Sequence, residues 1–189
     1  MENKNNMKKE KISEIIIAIT FILIGASARL LPHPANFTPI SAIALFGGVY
    51  LSRKTALVLP LAAMAISDIF IGYYDVKLMI FVYGSFILSV ILGSWLKKHK
   101  RWHLVFGSSI LSAFIFFFIT NFAVWAFTPW YAKNFTGIIQ CYFMALPFLK
   151  NSLMGDLFYT FVFFGSYELI KLLVKNKLRE SKEIIISLR

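Results

Sequence analysis

Arg29, Asp68, Asn121 and Asp156 stand out because each interrupts an otherwise apolar segment. An ionisable or amide group inside a membrane-length apolar run is costly unless it is paired, solvated or used, so each is a candidate for binding or proton chemistry. Two chemistries fit these residue types. They can line one polar pocket that captures a small molecule, or Asp68 and Asp156 can act as an acid/base pair on a lipid or small molecule. A structural use competes with both: an ion pair of Arg29 with Asp68 or with Asp156 that only fixes helix packing. Four more residues complete the candidate substrate-binding set: His33 and Asn36 in a proline-rich stretch, Trp125 one helical turn after Asn121, and Asn151 shortly before Asp156. No residue is assigned a catalytic role. The chain has no Walker A loop, no H-E-x-x-H, no G-x-S-x-G and no paired Cys or His at metal spacing, so no cofactor and no metal ligand are expected. His33 and Cys141 are two ligands at most, short of a zinc site.

The elements that position these groups are apolar. At 189 residues and 58% hydrophobic, the chain is too apolar for a soluble domain of its size, which implies an integral membrane protein. Apolar runs cover residues 12–31, 40–51, 55–73, 78–96, 104–127 and 152–174. All but the second are long enough to cross a bilayer; the second, about a dozen residues, is equally compatible with a re-entrant segment. The net charge of +11 decides the topology rather than pointing to nucleic acid, because the cations fall at the ends of the apolar runs. With six crossings, 16 of the 20 Lys and Arg lie on one side, and Arg29, Lys77, Lys133 and Lys150 on the other. The expectation is therefore an all-α polytopic membrane protein, a compact bundle of six transmembrane helices with a short second span and both termini cytoplasmic. Residues 1–11 form a cytoplasmic N-terminal tail, 12–174 the membrane domain and 175–189 a basic cytoplasmic C-terminal tail.

That topology puts Arg29, Asp68, Asn121 and Asp156 in the outer leaflet, which predicts one outward-facing polar cavity among spans one, three, five and six. Pro32, Pro34 and Pro39 keep residues 31–39 out of helix. The stiff hairpin they form, together with a loop over 127–151 that Pro147 stops, is expected to roof the cavity. Small residues at four-residue spacing mark close helix contacts: Ser85, Ser89 and Gly93, Ala44 and Gly48, Ser109 and Ala113. Trp125, Trp130, Tyr131, Tyr73 and Tyr74 fall where an outer aromatic belt is expected.

Four motifs carry a resemblance. R-L-L-P-H-P-A-N-F-T-P-I-S-A-I-A-L-F-G-G at 29–48, P-L-A-A-M-A-I-S-D at 60–68, T-N-F-A-V-W at 120–125 and K-N-S-L-M-G-D-L-F-Y at 150–159 resemble an uncharacterised bacterial family described as transport proteins. The likeness runs from about residue 15 to residue 170. In size and span number the chain is also similar to the substrate-binding S components of energy-coupling factor (ECF) vitamin transporters, a likeness of architecture alone. The resemblance implies a bacterial inner-membrane subunit for uptake of a small vitamin-like molecule, working among membrane lipids with a separate ATP-driven coupling module. The Ala-x-x-x-Ala docking pattern of S components is not reproduced, since Ala18 is followed by Ile22 and then Ala26.

Overall fold

The computed structural model describes residues 2–187. Arg189, counted above among the inner-side cations, lies outside the described residues, as do the side chains of Lys4, Lys8, Lys9 and Lys182. Among the described residues the chain is all-helical: α1 Glu2–Leu30, α2 Ile40–Tyr50, α3 Arg53–Ile71, α4 Val76–Leu96, α5 Trp102–Phe127, α6 Phe135–Met144 and α7 Leu146–Ser187. Five of these are long and apolar enough to cross a membrane: α1 over Lys11–Leu30, α3, α4, α5, and α7 over Leu146–Lys177. Their outward faces are hydrocarbon, with Ile15, Leu23, Phe70, Phe118 and Phe161 all exposed. This is the inversion expected where lipid replaces water around the bundle.

Helix α2 is the centre around which the others pack. Ten of its eleven residues are buried, and it touches α4, α3, α7, α5 and α1. Glycine makes this possible on the α4 side. A Cβ on Gly48 would lie 2.4 Å from the Val90 carbonyl oxygen, and one on Gly93 2.4 Å from that of Leu45, so the two backbones touch. The small-residue spacing in the sequence thus marks real contacts. Ser89 and Ser112 bond across α4 and α5 at 2.5 Å, and Thr160 of α7 donates to Ser109 of α5 at 3.1 Å. Aromatic rings of Phe21, Phe46, Phe163 and Phe164 fill the remaining space between α1, α2 and α7.

Eleven helical residues rise only about 16 Å, half of a hydrocarbon layer. The segment before α2 supplies depth that the helix lacks. Asn151 Nδ2 donates to the Ala35 carbonyl at 3.0 Å, a Cβ on Gly155 would meet Phe37 Cα at 3.2 Å, and Ser41 reaches the level of Asp156. Residues 35–39 therefore run down beside the first turns of α7 before the helix takes over at Ile40. Pro34 and Pro39 lower the number of backbone N–H groups that must find partners in this extended run, and Phe37 N–H donates back to Pro34 at 2.9 Å. Only the first half of 31–39 is the outlying hairpin that the sequence predicts; the second half is inserted.

The expected loop over 127–151 is mostly helix. Asn134 caps α6 by accepting from Gly137 N–H at 2.9 Å, and Pro147 sits in the first turn of α7. A proline there has no intrahelical N–H to lose, so it starts a helix instead of stopping one. At the opposite end of the bundle, Ser52 N–H donates to Glu14 at 2.6 Å, and Glu168 accepts from Tyr50 at 2.8 Å and from Lys100. These bonds bring the start of α1, the end of α2, the α4–α5 turn and the lower part of α7 to one end.

Candidate functional site

The polar residues read from the sequence fall into two separate groups. Arg29, near the C-terminus of α1, lies with its Nη1 2.8 Å from Asp68 Oδ1 on α3, 3.2 Å from the Met64 carbonyl, and against Ser67 Oγ. The Asp68 contact is electrostatic rather than an aligned hydrogen bond, because Oδ1 has no hydrogen-bond partner. The other carboxylate oxygen, Oδ2, accepts from the Tyr83 hydroxyl of α4 at 2.7 Å. Asp68 is fully buried, and its charge is answered by a neighbouring guanidinium. Burial, with Asp68 close by, pushes the phenol of Tyr74 in the α3–α4 loop up to about 12, so that it stays protonated. This cluster joins α1, α3 and α4, and Asp68 finds its charge partner within the protein.

Asp156 is built differently. It is 3% exposed, its Oδ2 has no hydrogen-bond partner, and the Ser41 hydroxyl bonds the carboxyl. The carboxyl faces a chamber of about 20 Å³ lined by Asn36, Thr38, Ser41, Ser152, Phe86 and Phe116. Next to it lies a vestibule of about 310 Å³, walled by residues that include Val82, Asn121, Val124, Trp130, Tyr131 and Phe148. The two share Asn36 and Phe116, which therefore stand between them. Exposed Trp130 marks the end at which the vestibule meets the surface. Neither lining contains a lysine, arginine or histidine.

The structure thus places Asn36 and Asp156 at the inner chamber and Asn36 and Asn121 at the vestibule, and it places the other candidates elsewhere. Arg29 and Asp68 line neither chamber. His33 is exposed in the hairpin, with Nδ1 2.6 Å from the Leu31 carbonyl oxygen. Asn151 is a strut, holding the inserted segment to α7. Trp125 braces the α5–α6 loop by donating to Ala132 O at 3.0 Å, with Lys133 bonded to its carbonyl and to that of Thr128. Asn121 spends its amide on Phe117 O at 2.8 Å. Within the site, Thr38, Ser41, Ser152, Phe86 and Phe116 lie outside the candidate substrate-binding set, and Trp130 and Tyr131 are residues that the sequence assigns to an aromatic belt. One signal was available for Ser152: it precedes Asp156 by four residues and so shares its helix face.

Two other grooves are larger. One, about 430 Å³ at the basic end, includes Glu168, which Lys100 and Tyr50 already occupy. The other, about 440 Å³ between α5 and α6, has an all-apolar lining suited to lipid chains.

Fold and site together define a helical membrane-type bundle with a small polar chamber and a more apolar vestibule side by side near one end. Residues 9–179 match a family described as "Family of unknown function (DUF6580)", and the chain belongs to that family. The match takes in all four motifs on which the resemblance rested and carries no link to ECF S components. No curated protein and no solved structure matches the chain.

Proposed function

We propose that this chain is a substrate-binding integral membrane subunit that takes up a small vitamin-like molecule through an outward-facing pocket and depends on a separate module for energy. The observation that carries this reading is the vestibule of about 310 Å³, which meets the surface at Trp130 and shares Asn36 and Phe116 with a small polar inner chamber. That volume is at the lower end of small-molecule sites. Orientation follows from charge. The end opposite the cavity collects Arg53, Lys54 and the Lys97 to Arg101 cluster, and positive residues stay on the cytoplasmic side. In this reading residues 31–51, extended segment plus α2, make the sixth crossing, and both termini are cytoplasmic. Single cysteines replacing Lys98 and Lys133 in a Cys141→Ser background should then label from opposite faces of the membrane.

The energising partner is inferred from the absence of any nucleotide-binding motif in the sequence. An S-component-like role rests on size, span number and the position of the cavity, which is a likeness of architecture. Mass spectrometry of small molecules retained by the detergent-purified protein is the test. A retained compound, released unchanged, is the expected result. Conversion of an added compound to product would favour the membrane enzyme instead, and retention of nothing across lipid and detergent conditions would overturn the proposal.

A further inference from the structure

The geometry points to a small organic cation as the ligand of the inner chamber: a primary or secondary ammonium head seated on Asp156, carried on a ring or short apolar body that fills the vestibule. This rests on the substrate-binding reading above and adds the chemical class. A buried carboxylate needs a compensating cation or several donors. Asp156 has the Ser41 hydroxyl, an unpartnered Oδ2, and no cationic side chain in either lining. Asp68 shows what this protein does when it means to neutralise a buried carboxylate itself: it sets an arginine against it. No side chain in either lining supplies the missing charge at Asp156, and a cationic ligand can bring it.

Size and surroundings narrow the head group. A chamber of about 20 Å³ has room for little more than one water-sized group, which suits an ammonium better than the bulkier guanidinium or quaternary amine. Hydroxyls of Thr38 and Ser152 and the amide of Asn36 offer further acceptors for its N–H groups. The stacked rings of Phe86 and Phe116, 5.3 Å apart between centroids, form an aromatic wall, and aromatic faces attract cations. A carboxylate or phosphate head would meet Asp156 charge to charge. Beyond the head, Val82, Val124, Trp130 and Phe148 make the vestibule apolar enough for a hydrocarbon or aromatic body.

The test is thermal unfolding of the full-length protein in detergent at constant ionic strength. The probes are methylammonium, benzylamine, phenethylamine and tryptamine, with benzyl alcohol and benzoate as neutral and anionic counterparts. At least one aryl amine should raise the unfolding temperature saturably, and neither counterpart should. Asp156→Asn should weaken the apparent Kd of that amine by about tenfold or more. Should that variant fail to fold, Ser152→Val crowds the same chamber without touching the charge, and it should weaken the amine alike. Equal stabilisation by amine and alcohol, an undiminished amine response in both variants, a response to sodium alone, or no response to any amine would each overturn the inference. If the compound retained on purification is neutral or anionic, the cation inference falls while the substrate-binding reading stands. If nothing is retained and no probe binds, both fall.

Discussion

Two aspartates in this bundle are buried almost equally and are treated in opposite ways. Asp68 meets Arg29 at 2.8 Å and a tyrosine hydroxyl at 2.7 Å. Asp156 meets one serine hydroxyl and a void, with one oxygen left bare. Burial alone therefore does not mark a functional carboxylate in a low-dielectric setting. What separates the two is whether the protein completes the charge itself. A completed pair fixes helices; an incomplete one costs stability that only a ligand, a proton or water can return.

The comparison breaks if Asp68 proves dispensable. Asp68→Ala leaves Arg29 facing an empty site, and losing one partner of a buried pair costs about 3–5 kcal/mol. Thermal unfolding in detergent should register it as the largest loss among the polar substitutions. Replacing both partners, Arg29→Met with Asp68→Leu, should recover most of that loss, because no bare charge remains. Tyr83→Phe removes only the hydroxyl that donates to Oδ2, and a hydrogen bond to a charged group is worth about 1.5–3 kcal/mol. A smaller loss than for Asp68→Ala, in the same assay, is the expected order. Asp156→Asn goes the other way. Without ligand it should be neutral, or stabilising by about 1 kcal/mol, since an amide replaces a poorly compensated buried acid. A loss as large as that of Asp68→Ala would mean that Asp156 is structural too.

The sequence made the helices and the presence of costly polar groups legible, but it did not show how those groups are partnered. Apolar length and the four-residue spacing of Ser85, Ser89 and Gly93 are one-dimensional signals, and both correspond to observed features. Assigning Arg29, Asp68, Asn121 and Asp156 to one leaflet was not enough to assign them to one cavity, because a helix has faces as well as depth. Arg29 and Asp68 meet on the α1–α3 side, while Asp156 faces the inserted segment and the Phe86 and Phe116 rings. The insertion itself was hidden for a related reason. Prolines state that 31–39 is not helical, but they do not state that its second half descends beside α7; that depends on Gly155 leaving room for Phe37. Helix α6 was missed because Pro129, Lys133 and Pro147 bracket a ten-residue run too short to read as a span, although Asn134 is a good helix cap.

The finest way to sharpen the contrast is at Asn36, the residue that stands between the two chambers. It has φ 65°, in the left-handed region where asparagine is tolerated and glycine is at ease. Its side chain borders both the Asp156 chamber and the vestibule, so backbone shape and cavity wall depend on one residue. Two substitutions separate these roles. Asn36→Gly keeps the conformation and deletes the wall; relief of strain and loss of backbone rigidity nearly cancel, so stability should move by only about 0.5 kcal/mol. Asn36→Ala deletes the same wall but forces a Cβ-bearing residue without a local hydrogen-bonding side chain to hold a positive φ, a conformation that costs about 1–2 kcal/mol. If the side chain helps to hold a ligand head against Asp156, both variants should bind the responsive amine more weakly to a similar degree while differing in unfolding temperature. If it only shapes the turn, Asn36→Gly should bind as wild type does, and the chamber would be defined by Ser41, Ser152 and Asp156 without it. Titration of that amine against both variants, read beside their unfolding curves, decides between a residue that contacts the ligand and one that only lets the chain turn inward.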